Sequence, residues 1–117
     1  MATMSKVILT GSDDGRGIEV AATVTAGTLI HTAVAGTSDI DEIWLYAVNS
    51  STGAIKLTLE WGDVTVSDDL IEVTIPAESG LVLVAPGLLL QDTRVVRAFA
   101  GTTNTINIHG YVNRITA

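Results

Sequence analysis

The amino-acid sequence predicts an all-β fold in which two antiparallel sheets pack as a sandwich. Three observations carry that expectation. Gly, Asn, Asp and Ser clusters punctuate the chain at short, fairly even intervals, the rhythm of a sandwich or barrel. The segment Ile55 to Trp61 alternates strictly, with Ile55, Leu57, Leu59 and Trp61 on one face and Lys56, Thr58 and Glu60 on the other, which is the period of a half-buried strand. No segment repeats apolar residues at helical spacing between caps, so little or no helix is expected.

The elements follow in order. After Lys6 to Thr10, Gly11 to Gly17 reads as a turn in which Asp14-Gly15 supplies the positive φ of a tight hairpin. Ile18 to Thr25 reads as the next strand and Thr28 to Val34 as its return, both rich in β-branched residues that favour the pleat over the helix. A turn and loop over Ala35 to Asp41 leads into the strand Glu42 to Asn49, and Asn49 to Gly53 forms a hairpin loop before Ile55 to Trp61. After an acidic loop over 62–69, Leu70 to Ile75 is a strand ended by Pro76, which cannot donate to a ladder. Leu81 to Ala85 is a strand apolar on both faces and closed by Pro86-Gly87, while Leu88 to Leu90 is either a short strand or a buried loop. Arg94 to Ala100 and Thr105 to Arg114 complete a count of eight or nine strands. That number, with some longer connections, fits a jelly-roll-like sandwich better than an up-and-down barrel. An immunoglobulin-like sandwich would call for a Cys, Trp, Cys spacing that a cysteine-free chain lacks.

At 117 residues the chain is expected to be one domain over 1–117, large enough to bury its core without a disulfide or metal staple. Apolar residues make up 47% and aromatics 4%, so Val, Ile, Leu and Ala must build that core. The absence of cysteine excludes disulfides, thiolate metal sites and cysteine nucleophiles. The start shows no basic segment followed by an apolar run, and no apolar stretch approaches the ~20 residues that span a bilayer, so a soluble protein without a membrane partner is expected.

The net charge of −7 argues against a nucleic-acid partner, whose affinity would come from Lys and Arg. The charge is uneven. Residues 1–92 hold three bases and all 13 acids, a balance of −10, whereas residues 93–117 hold Arg94, Arg97 and Arg114 with no acid. That asymmetry is either a small-sample accident or a sign that unlike surfaces of neighbouring subunits meet.

No catalytic constellation is legible. His31 and His109 each lie within an expected strand without a metal-ligand spacing, and a hydrogen-bonded structural role is expected for them. Three acidic groups, Asp39 with Asp41 and Glu42, Asp13 with Asp14, and Asp63 with Asp68 and Asp69, lack the ordered spacing of a calcium loop and read as solvated turns. The glycines Gly11, Gly15 and Gly17 lack the Gly-Lys-Ser/Thr of a phosphate loop, and no serine sits in a nucleophile elbow. The expectation is a non-enzyme without cofactor or metal.

The strand at 42–49 is unusual because both its faces are apolar: Ile43, Leu45 and Ala47 alternate with Trp44, Tyr46 and Val48. An antiparallel strand in a small protein normally wets one face. Trp44 and Tyr46 are therefore buried core, a subunit interface or a platform on which sugars stack.

Three stretches resemble a known group: DEIWLYAVNSSTGAIKLTLEWG (Asp41 to Gly62), DDLIEVTIPAESGLVLVAPGLLL (Asp68 to Leu90) and VVRAFAGTTNTINIHGYVNRI (Val95 to Ile115). They resemble small virion structural proteins of tailed bacteriophages, of the kind that decorates or cements the capsid. The resemblance rests on strand and turn patterns over more than half the chain and transfers no individual binding residue. It implies a jelly-roll or related β-fold, usually trimeric, made in the host cytoplasm and added to the outside of the head. The implied partners are other copies of the chain, as a homotrimer, and the major capsid protein. Trp44, Tyr46 and Val48 are the expected interface residues, with Arg94, Arg97 and Arg114 as candidates for gripping acidic neighbours. Another virion piece (a head-fibre base, neck or tail component) and a carbohydrate-binding sandwich are the alternatives.

Overall fold

A computed structural model describes residues 2–117. Its described residues form nine strands: β1 (Thr3–Val7), β2 (Ile18–Glu19), β3 (Thr28–Thr32), β4 (Ile40–Asn49), β5 (Ile55–Gly62), β6 (Leu70–Ile75), β7 (Val82–Leu90), β8 (Val95–Ala100) and β9 (Ile106–Thr116). No helix is present among them. Sheet A runs β1-β9-β4-β7, with β2 pairing β9 beyond the end of β1, and sheet B runs β3-β8-β5-β6. Every pairing is antiparallel. The pairs are nested: β5 with β6, β4 with β7, β3 with β8, and β1 and β2 with β9. The expected all-β, two-sheet antiparallel sandwich is the observed fold.

Alternation supplies the core. From sheet A, Ile43, Leu45 and Ala47 of β4 point inward beside Ile106, Ile108 and Val112 of β9. From sheet B they meet Leu57 and Leu59 of β5, Ile75 of β6, Val96, Ala98 and Ala100 of β8, and Ile30 of β3. All are aliphatic, as the scarcity of aromatics requires. Truncating one of the large ones to Ala, Leu45 or Leu59 for example, should cost about 2–5 kcal/mol.

Asp14 and Gly15 both adopt positive φ, as expected of that turn. Two expected elements differ. The strand expected over Ile18 to Thr25 is paired only at Ile18–Glu19, because the chain then turns the corner between sheets. The Val20 amide donates to Ile106 of sheet A, while the Ala22 carbonyl accepts from Ala100 of sheet B. Pro86-Gly87 does not close a strand, since β7 runs through it to Leu90. It can do so because β7 is an edge: a proline with no N–H and a glycine at φ +74 are accommodated where one side of the ladder is unpaired, with register shifts on the β4 side.

Sheet B has a partly covered outer face. Thr58 and Glu60 point away from the core yet are 3% and 1% exposed. The segment between β2 and β3 lies over them, and the Glu60 carboxylate accepts from the Gly27 amide at 2.7 Å and from the Thr25 hydroxyl. Sheet A has no such cover among the described residues.

Candidate interaction surface

The register of sheet A fixes what its outer face presents. Glu42 lies between Asn113 and Leu89, Trp44 between Tyr111 and Pro86, and Tyr46 between His109 and Leu83, with Val48 opposite Asn107. On β1, Lys6 pairs with Asn113 and Met4 with Ile115. The outer face thus sets aromatic and aliphatic side chains among the polar Lys6, Glu42, Asn107, His109 and Asn113. Met4, Leu83 and Leu89 on its two flanks are exposed, at 63%, 47% and 56%, and Trp44, Tyr46, Val48 and Tyr111 are half-buried.

Trp44 and Tyr111 stack with ring centroids 6.3 Å apart and planes 11° from parallel. Two neighbours hold them. The Lys6 ammonium sits 4.6 Å from the Tyr111 centroid, a cation–π contact. Gly87 lies under the indole, where a β-carbon would fall 2.9 Å from Trp44 Cζ2. The glycine therefore makes the shelf on which Trp44 rests.

Several polar groups beside the indole are paired with one another. Glu42 Oε1 accepts from Trp44 Nε1 at 2.8 Å and from Asn113 Nδ2 at 3.0 Å, while Asn113 Oδ1 accepts from Lys6 Nζ at 3.2 Å. The bonds from Asn113 and Trp44 hold the Glu42 carboxyl below its ordinary range. Lys6, Glu42 and the exposed Glu19, which lies opposite Asn107 on β2, are the formally charged residues of this face. The exposed acids Asp13, Asp14, Asp63, Asp68, Glu78 and Asp92 sit in loops instead.

The expected site residues thus separate. Trp44, Tyr46 and Val48 share the outer face of sheet A and do not enter the core of the chain. Arg94 is exposed in the turn before β8, beside a shallow groove that Trp61, Gly62, Asp63, Asp69 and Leu90 also line. Arg97 lies on the outer side of sheet B, with Nη1 3.4 Å from the Gly27 carbonyl oxygen. Arg114 is directed inward to Asp41, so part of the charge asymmetry along the sequence is resolved by pairing within one chain. The three arginines do not form one gripping surface with the aromatics.

Asp41, His31 and Arg114 make a buried polar cluster joining the sheets, with Asp41 and His31 both 0% exposed. Arg114 Nε and Nη2 donate to the two Asp41 oxygens at 2.8 and 3.0 Å, and the Val34 amide adds a bond of 3.0 Å. His31 Nδ1 accepts from the Thr10 amide at 3.2 Å, which places the ring hydrogen on Nε2, 2.8 Å from Asp41 Oδ2. Both imidazole nitrogens are thus engaged, and His31 is the hydrogen-bonded structural histidine expected. Burial, the largest influence, keeps His31 below the ordinary histidine range despite the raising effect of Asp41. Burial works to raise Asp41, but the bonds from Arg114, His31 and Val34 hold it below the carboxylate range. His109, in contrast, is exposed and rests over Gly17.

The acidic groups considered as calcium loops are placed as turn and core residues. Asp41 and Glu42 point to opposite faces of β4, Asp39 accepts from the Ala117 amide, and Asp63 and Asp69 bond amides of their own loop. Asp13 and Asp14 are exposed in the turn after β1, Asp13 3.9 Å from Arg16.

Among the described residues, no helix is long and apolar enough to cross a membrane. Comparison with protein-family models, with curated proteins and with solved structures finds no match to this chain.

Tyr111, Lys6 and Asn113 were not singled out by sequence. Alternation over 105–114 puts Tyr111 on the same side as His109 and Asn113, but only the β4–β9 register sets that side beside Trp44.

Proposed function

We propose that this chain is a non-enzymatic structural protein of a bacteriophage virion, which decorates the outside of the capsid and stabilises it. The observation that carries this reading is the uncovered outer face of sheet A. It is an aromatic and aliphatic surface bearing only Lys6, Glu42 and Glu19 as charged residues, on a protein of net charge −7 most of whose exposed acids lie in loops elsewhere. A protein of this kind works by repeated contact, and a rigid apolar surface supplies that contact.

Three further points support the reading. The nested strand pairs are the order obtained by rolling up one long hairpin, as in the jelly-roll wrap that the resemblance to capsid-decorating proteins implies. An acidic exterior suits a particle surface kept apart from packaged DNA. Beside Trp44, the indole N–H, Glu42, Asn113 and Lys6 are joined by hydrogen bonds, which leaves the stacked Trp44 and Tyr111 to meet a partner through their rings. Each copy need contribute only about a few kcal/mol, since many identical contacts on one shell act together.

The test compares particles with and without the protein under heat or low salt. Heads that carry it should retain DNA at temperatures where bare heads release it. Equal retention, with the protein found only at the tail, would reject capsid decoration in favour of an accessory role elsewhere on the virion.

A further inference from the structure

We propose that Lys6 and Asn113 condense into an intramolecular isopeptide bond, with Glu42 as the carboxylate that moves the protons, so that the first and last strands of the chain become covalently joined.

The register sets the three residues in one row across three strands. Lys6 of β1 and Glu42 of β4 are the direct cross-strand partners of Asn113 on β9, one on each side. Side chains paired in this way share a face and reach one another. Lys6 Nζ donates to Asn113 Oδ1 at 3.2 Å, and Asn113 Nδ2 donates to Glu42 Oε1 at 3.0 Å. Only this orientation of the carboxamide satisfies both neighbours, since an ammonium cannot accept and a carboxylate cannot donate. The carboxamide thus turns its oxygen to the amine and its nitrogen, the leaving group, to the carboxylate.

Two rings hold the outer members in place. The Trp44 indole N–H bonds the same Glu42 oxygen at 2.8 Å, and the Lys6 nitrogen lies 4.6 Å from the centroid of the Tyr111 ring. An amine held against a carboxamide acts at an effective concentration of about 10⁵–10⁸ M. A positioned carboxylate adds roughly 10²–10⁴ by moving protons in step with the bonds.

The reaction balances without a co-reactant. The Lys6 ammonium gives one proton to Glu42, and the neutral amine moves from Oδ1 to the adjoining carbon and forms the Nζ–Cγ bond. Glu42 passes its proton to Nδ2 and takes a second from Nζ. The Cγ–Nδ2 bond then breaks, and ammonia leaves with that second proton as ammonium.

The bond falls where the fold is held least. β1 is an edge strand that pairs with β9 alone, and its residues 3–6 are exposed, so little core packing retains it. A link from Lys6 to Asn113 fastens it to β9.

The experiment is intact-mass spectrometry of the denatured full chain, for wild type, Lys6→Arg and Glu42→Gln, followed over a week after purification. Circular dichroism verifies that each keeps the β-fold. The wild type should become lighter by about 17 Da, the mass of one ammonia. Trypsin should then release the peptide that ends at Arg16, uncut at Lys6 and joined to residues 98–114. Lys6→Arg, whose guanidinium stays protonated, should keep its full mass, and Glu42→Gln should react about a hundredfold more slowly. The linked chain should melt several degrees above Lys6→Arg. A folded wild type that keeps its full mass throughout the week overturns the proposal. So does the same loss in Lys6→Arg, because Asn113 would then be losing ammonia to its own backbone. Reaction of Glu42→Gln at the wild-type rate would refute the role given to the carboxylate.

Discussion

Arg114 meets Asp41 across the β4–β9 pair as a two-pronged clamp: Nε and Nη2 each donate to a different carboxylate oxygen, at 2.8 and 3.0 Å. Between the clamp and the Val34 amide, His31 from the opposite sheet bonds the same carboxylate. A single buried anion thus ties three strands from both sheets.

Removing one partner of that clamp leaves charge or polar groups buried and unpaired. Arg114→Ala or Asp41→Ala should destabilise the chain by about 3–5 kcal/mol, read by urea or guanidinium unfolding. Arg94→Ala, at an exposed position, should change stability by no more than about 0.5 kcal/mol. Equal effects at the two arginines would contradict the assignment of Arg114 to the fold.

The same cluster makes the protein acid-sensitive. His31 binds a proton less readily folded than unfolded, so its contribution to stability is intact well above the ordinary value of 6.5 and declines as pH falls below it. Asp41 has a folded value below its ordinary 3.8, so its contribution is present above 3.8 and is lost as pH falls through the lower folded value. Both signs point the same way. A proton forced onto His31 Nδ1 would also face the Thr10 N–H that now donates to it. Melting temperature should therefore fall between pH 7 and pH 5, and His31→Gln should flatten that limb while leaving the steeper loss at lower pH.

Glu60 anchors the segment that covers sheet B. Glu60→Ala removes the acceptor for the Gly27 amide and the Thr25 hydroxyl, and should cost about 2–3 kcal/mol. Hydrogen exchange at the Gly27 amide and proteolysis between β2 and β3 should both accelerate. Unchanged protection would mean that the segment is held by its other contacts.

Gly87→Ala tests the shelf beneath the indole. At φ +74, with a β-carbon 2.9 Å from the Trp44 ring, the substitution is strained twice over. It should cost about 1–3 kcal/mol and shift the Trp44 fluorescence, read in a Trp61→Phe background, as the ring leaves Tyr111.

Local chemistry made much of this fold legible in advance. The alternation over 55–61 correctly assigned Leu57 and Leu59 to the core, and Asp14-Gly15 marked its turn. The same alternation assigned Thr58 and Glu60 to solvent, and there a distant segment overrode it by folding across sheet B. Pro86-Gly87 looked like a stop because a proline ends an interior strand, whereas position in the sheet, which sequence does not state, made it tolerable. Asp41 and Arg114 are 73 residues apart, and no periodicity within either strand announces their meeting. For the candidate surface, strand 42–49 showed two apolar faces. Only the layering of the sheets decided that Ile43, Leu45 and Ala47 face the core while Trp44, Tyr46 and Val48 face outward.

The central claim is that the chain acts by assembly through the outer face of sheet A. Hydroxyl-radical footprinting of side chains, on the dilute free protein and on the protein bound to heads, reads it most directly. Assembly should protect Met4, Trp44, Tyr46, Leu83 and Tyr111, while Val24 and Val66, exposed away from that face, keep their reactivity. Unchanged labelling of the face on particles, with protection appearing at Val24 or Val66 instead, would contradict the account.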